Sequence, residues 1–385
     1  MLKNILEKFL ALEAKSALVL LAAAAAAMVW ANSPWAETYD NLLHMAVPLG
    51  FKTFSLHHLI NDILMAIFFL LVGLEIKREL LEGELNSWKK ASLPLFGAVG
   101  GMVVPAAIFV AFNMHDAAML RGWAVPAATD IAFAVGVLML VARGMPMALK
   151  VFLLALAIMD DLGAVIIIAF FYSDAISLPM LGLAAGVVLL LFLLNEMNIR
   201  RLRYYMLAAP LLWWAVYESG LHATLAGIML ALVIPLRLDD QHDSPLLRLE
   251  HNLHPWVNYI IMPVFALANA GVVMGEISHN HLLGTVLWGA ALGLAVGKPV
   301  GIVAFSWLAC RLGWSELPKA LRWPHMVGAG MMAGIGFTMA LFIAGLAYAG
   351  HPLLLDEAKL GIMLGSAISA MLGAWWLKKL STKVI

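Results

Sequence analysis

Apolar runs long enough to cross a bilayer alternate along this chain with short charged or Gly/Pro-containing breaks. They give about twelve spans, centred near Ala24, Phe69, Met102, Ala132, Asp160, Val188, Trp213, Met229, Phe265, Val296, Gly336 and Ser369. A crossing helix needs roughly 20 apolar residues. The pattern therefore predicts an all-α polytopic membrane protein. The first run, Ala17 to Ala31, follows Lys3, Lys8 and Lys15 but also Glu7 and Glu13. It reads as a retained first helix rather than a cleaved signal. The amphipathic outer stretch from about Ser33 to His58 holds Pro34 and Pro48 and predicts a short hairpin or an interfacial element.

The breaks carry an orientation signal. With both termini inside, twenty Lys and Arg fall on inner segments. Three fall on outer ones (Lys52, Arg121 and Lys359), and Lys298 stays within a span. Such an excess marks the cytoplasmic side, and an odd number of spans would scramble it.

Composition narrows the class. Of 385 residues, 63% are hydrophobic and 12% charged, and the net charge is zero. A soluble domain carries about 25% charged residues, and a neutral chain offers nothing to nucleic acid. The single cysteine, Cys310, excludes an internal disulfide framework.

Two spans are interrupted. The fourth carries Pro126 followed by Thr129 and Asp130, and proline both removes a backbone donor and crowds the preceding turn. The eleventh holds Gly328, Gly330, Gly334 and Gly336, which weaken a helix or let a neighbour approach closely. In the predicted topology these spans run in opposite directions. Spans 3–5 and 10–12 are then inverted repeats with discontinuous helices 4 and 11, the arrangement that marks a transporter's midplane site.

Four ionisable groups sit at mid-span: Asp130, Asp160, Asp161 and Lys298. A charge at that depth is costly and calls for a partner or a function. Asp160 and Asp161 point about 100° apart around their helix and cannot share one bidentate task. One can face an aqueous funnel while the other faces a helix partner. Lys298 is the one cation at that depth and pairs with one of the three aspartates. Asp130, beside the break, either offsets positive half-helix ends or ligates a cation directly. Lys298 can offset the negative ends. Elsewhere, Glu250 and His254 share a helix face near His251. Together with Glu75, Arg78, Glu79 and Glu82 they form either a mouth that titrates near neutrality or a solvated inner face. The neighbouring stretch adds Asp239, Asp240, His242 and Asp243. His222 lies near the outer end of a span, where packing is as good a reading as function. An aspartyl protease needs two carboxylates around one water, which adjacent residues on a helix cannot supply. A passive cation channel is the stronger rival; it needs an open path, whereas paired charges and broken helices suit alternating access.

These residues resemble the NhaA family of bacterial sodium/proton antiporters over essentially the whole chain. The matching motifs run from Leu70 to Leu80, from Pro126 to Phe133, through Asp160-Asp161, and from Gly220 to Gly227. They continue through Leu249-Glu250-His251, Gly297-Lys298-Pro299, and Gly334 to Thr338. The resemblance implies a secondary transporter, not an enzyme. It would exchange cytoplasmic Na+ or Li+ for external protons, electrogenically and with alkaline activation, in the bacterial inner membrane with both termini cytoplasmic. It implies that Asp161 is the primary ion and proton site, that Asp160 is its partner and can pair with Lys298, and that Thr129 lines the site. Asp130 and Lys298 would compensate the broken helices. Glu75, Arg78, Glu79, Glu82, Glu250, His251 and His254 would serve the pH response. A single transporter domain over 1–385 is expected, with a core bundle over about 93–173 and 285–380 and an interface bundle over about 12–85 and 178–275. The cargo is Na+, Li+ and H+, with no cofactor. The expected partners are membrane lipid and a second copy of the chain, docked through the outer segment after span one, with no nucleic acid and no protein substrate.

Overall fold

The computed structural model describes residues 2–49, 52–83, 85–141, 144–173, 175–237, 244–276 and 283–381. It is a multi-pass assembly of apolar helices. Six of them are long and apolar enough to cross a bilayer among the described residues: α3 (Leu56–Leu81), α4 (Trp88–Asn113), α7 (Met147–Phe171), α8 (Leu178–Glu196), α12 (Thr285–Arg311) and α15 (Pro352–Ser381). Counting each bent helix pair as one span raises the number to nine. Three further expected spans fall on shorter or more polar helices: α9 (Leu202–Glu218), α10 (Leu225–Val233) and α11 (245–269). The nine residues of α10 rise only about 14 Å.

By its internal contacts the chain divides into two compact units. The first comprises Met1–Glu37, Glu84–Ala164 and Asn269–Ile385. It begins with α1 (Leu2–Ala31). Its densest packing joins α4 to α12, and glycine makes that possible. A Cβ on Gly100 would strike the Gly301 carbonyl, and one on Gly301 would strike the Gly100 carbonyl. Small residues let helix backbones meet in this way. Two helix pairs in this unit are bent. α5 (Ala117–Ala127) meets α6 (Ile131–Val141) at 44°, and α13 (Trp323–Ala333) meets α14 (Phe337–Ala347) at 48°. The second half of α5, Arg121–Ala127, is 3-10 helix ending just past Pro126. In α12 a π turn, Gly293–Gly297, immediately precedes Lys298. Pro126 and Pro105 pack against its two glycines.

The second unit comprises Thr38–Gly83 and Val165–Ala268. The stretch that suggested a hairpin contains one: β1 (Ala46–Leu49) pairs antiparallel with β2 (Lys52–Ser55), with Ala46 opposite Ser55. It follows the short helix α2 (Ala36–Leu43). Ser55 then caps α3, its hydroxyl accepting from the His58 amide at 3.1 Å. α3 also carries a π turn, Ile60–Leu64, which holds the buried Asp62. α10 packs on α3 so closely that a Cβ on Gly227 would strike the backbone at Ala66.

Candidate functional site

The four mid-span charges lie within the first unit, each at most 1% exposed. Asp160 and Asp161 occupy the middle of α7. Lys298 begins the regular part of α12, where its backbone follows the π turn. Its Nζ lies 2.8 Å from Asp160 Oδ2 and also donates to the Ala127 carbonyl, the last of α5. One ammonium thus meets a carboxylate and the negative end of a helix together. The other Asp160 oxygen, Oδ1, is buried without a hydrogen bond among the described residues. Asp161, the next residue, is within electrostatic reach of Lys298.

The two bends meet at the connections 128–130 and 334–336. Asp130 Oδ1 accepts from the Phe133 amide at 3.0 Å, capping α6. Its Oδ2 accepts from the Thr338 amide at 3.1 Å and the Thr338 hydroxyl at 2.5 Å, capping α14. One carboxyl group therefore caps two helix ends, those of α6 and α14. The Asp130 amide donates to the Ile335 carbonyl at 2.7 Å, and the Thr129 hydroxyl donates to the Ala333 carbonyl at 2.9 Å, the last of α13. Sequence reasoning gave Thr338 a motif but no task. It missed Ser366 of α15, whose hydroxyl accepts from the amides of Gly336 at 3.3 Å and Phe337 at 3.2 Å. A serine within an apolar run carries no signal that distinguishes a cap from a packing residue.

The residues expected to titrate lie in the second unit. Arg78 Nε faces both oxygens of Glu250, at 3.0 and 3.1 Å, and Arg78 Nη1 lies 2.5 Å from Glu79 Oε1. Glu250 stands in the polar first half of α11, outside the apolar spans. Burial pushes its carboxyl above the usual carboxylate range, against the pull of Arg78. Glu75 also acts on Arg78, and His254 on Glu250, through their charges. His251 and Glu82 are exposed. His222 sits in the turn before α10, its Nδ1 3.0 Å from the Thr224 hydroxyl. Asp239, Asp240, His242 and Asp243 lie outside the described residues.

The family described as Na+/H+ antiporter 1 matches residues 7–377. Na(+)/H(+) antiporter NhaA 2 of Pseudomonas savastanoi pv. phaseolicola is 51% identical over 379 residues, 98% of this chain and 96% of that protein. Na(+)/H(+) antiporter NhaA of Shewanella amazonensis is 49% identical over 387 residues, 99% of each chain. The Na(+)/H(+) antiporter NhaA of Nitrobacter hamburgensis is 50% identical over 376 residues, 97% of this chain and 91% of that protein.

Proposed function

The chain belongs to the Na+/H+ antiporter 1 family, and from that premise we propose that it expels cytoplasmic Na+ or Li+ in exchange for external protons, electrogenically and with activation at alkaline pH. The observation that carries this reading is the fully buried contact between Lys298 and Asp160, 2.8 Å apart. Such a pair persists only while both groups are charged, so it opens and closes with protonation. Asp161 is the residue that holds either a sodium ion or a proton. Sodium needs deprotonated oxygen ligands, so ion and proton compete for the same carboxylate and cannot travel together. Asp160 joins the ion when it leaves Lys298, and Thr129 lines the site. Electrogenic exchange moves more than one proton per sodium, and Asp160, Asp161 and Lys298 provide three groups whose protonation can change.

In this reading α5 with α6, and α13 with α14, are the two discontinuous spans of a twelve-span protein with inverted repeats. Asp130 and Lys298 hold their opposed dipoles, and the site faces one side at a time as one bundle rocks against another. The core bundle is about 93–173 with 285–380, and the interface bundle about 12–85 with 178–275. The protein lies in the bacterial inner membrane with both termini cytoplasmic. It pairs as a homodimer through the outer segment that contains β1 and β2. Glu75, Arg78, Glu79, Glu82, Glu250, His251 and His254 form the cytoplasmic pH response. Glu250 supports this assignment, because a carboxyl raised by burial releases its proton nearer neutrality than a free one.

Everted vesicles from a strain without other sodium/proton antiporters test the proposal. Respiration acidifies the lumen and a dye reports it. Sodium should collapse the gradient at pH 8.5, far less at pH 7, and not at all in Asp161→Asn. A wild type silent to sodium and lithium at both pH values would exclude antiport.

A further inference from the structure

The mechanism leaves one buried hydroxyl at the helix crossing without a task. Ser366, in α15, is 6% exposed and takes the Gly336 and Phe337 amides. Asp130 takes the next amide, that of Thr338. The first turn of a helix exposes N–H groups with no partner inside the helix. Here three successive donors are shared between a neutral acceptor and a charged one. The spacing is also suggestive. Ser366 lies 29 residues past Phe337, the first residue of α14. Asp160 lies 29 residues past Ile131, the first residue of α6. The same position in the two proposed repeats thus carries an ion-site aspartate in one and a helix cap in the other.

We propose that Ser366 is a positioning residue for cation binding: it fixes the N-terminal end of α14 so that Asp130, shared with α6, holds Thr129 in place. This rests on the antiport reading. A buried N–H without an acceptor is costly. Without the Ser366 oxygen, the Gly336 and Phe337 amides compete for the Asp130 carboxylate. That carboxylate is drawn toward α14 and away from Phe133, and the connection 128–130 moves with it. Thr129, the adjacent residue, bonds to the Ala333 carbonyl on that side, next to the bond from the Asp130 amide to Ile335. The consequence is a loose cation site with its proton groups, Asp160 and Asp161, intact. Affinity falls while turnover survives. A second serine of α15, Ser369, reaches the Leu294 carbonyl in the α12 π turn at 3.4 Å, so the same helix also braces the approach to Lys298.

Sodium titrations in everted vesicles at pH 8.5 distinguish this from a packing role. Ser366→Ala should raise the sodium concentration for half-maximal response about tenfold, with the maximal response kept within about twofold. Ser366→Thr retains the hydroxyl and should return the half-maximal value to within about twofold of wild type. Ser366→Cys keeps the volume but offers a weaker acceptor, so it should fall between serine and alanine. A wild-type half-maximal value in Ser366→Ala overturns the proposal. Equal impairment of the Ala and Thr variants also does, because it assigns the effect to shape. If the Ala variant does not reach the membrane, Ser366→Cys decides, and a wild-type value there is fatal. A wild type without any sodium response sinks the antiport reading itself, an outcome the variants cannot mimic.

Discussion

Two lysines, one in each unit, perform the same elementary act and differ in everything around it. Lys298 donates to the Ala127 carbonyl at the end of α5. Lys77 donates to the carbonyls of Leu232 at 2.7 Å and Ile234 at 2.6 Å, at the end of α10. Each places a cation on the negative end of a short helix. Lys298 is wholly buried and shares its ammonium with the Asp160 carboxylate. Lys77 is partly exposed, and its hydrogen bonds go to carbonyls. A carbonyl partner does not titrate, so nothing on the acceptor side of the Lys77 contact responds to protons. A carboxylate partner does, which turns the same cap into a contact that protons can open. The comparison shows that two helix-capping lysines differ in the second group each touches and in how dry the contact is.

The contrast can be broken at several points. The largest effect is expected from Lys298→Ala. Removing one member of a buried ion pair leaves the other charge stranded, at a cost of about 3–5 kcal/mol. The sodium response in vesicles should vanish at every pH, and the melting temperature of the purified protein should fall. Full sodium response in this variant would end the role given to the pair. Next comes Gly100→Ala, which forces a methyl group into the Gly301 backbone. Overpacking of this kind costs about 1–3 kcal/mol. A thermal melt of the purified variant equal to wild type would show that α4 and α12 are not in such close contact.

Glu250→Gln acts on pH dependence. The folded carboxyl has a raised pKa, so its ionisation works against the fold. Its favourable contribution is present at acid pH and is lost as pH rises through the folded value. The Gln variant has no such term, so its melting temperature should decline less than wild type between pH 5 and pH 8. Its sodium response at pH 8.5 should also fall several-fold, toward the level at pH 7. A wild-type pH profile would remove Glu250 from the response. The smallest effect is expected from Lys77→Met, roughly 1 kcal/mol for the lost cap, with sodium response at pH 8.5 within about twofold of wild type. If it abolished exchange as Lys298→Ala does, the distinction between the two lysines would collapse.

Much of the site was legible because charge inside an apolar run is conspicuous. Asp130, Asp160, Asp161 and Lys298 stand out from sequence alone, and so do the interruptions at Pro126 and at Gly334. The residues alone left open which of three aspartates meets Lys298, because depth along a helix does not fix direction around it; the family resemblance named Asp160. Nor were the hydroxyl contacts of Thr129, Thr338 and Ser366, whose partners lie up to 208 residues away. Ile234 and Leu236 continue the apolar composition of α10 after the helix stops at Val233. Hydropathy reports what a residue is buried in, not whether its backbone is coiled.

The π turn before Lys298 has a further consequence. In a regular helix each residue advances by about 100° around the axis, so depth and bearing are locked together. A turn with one surplus residue unlocks them: it rotates everything downstream while scarcely changing its height. Deleting a single residue from Gly293–Gly297 and letting the helix close would swing the ammonium about 100° away from Asp160, with composition and hydropathy almost untouched. The aim of this side chain is thus inherited as a residue count, so a one-codon deletion in an otherwise apolar stretch should undo the contact with Asp160 as surely as replacing the lysine.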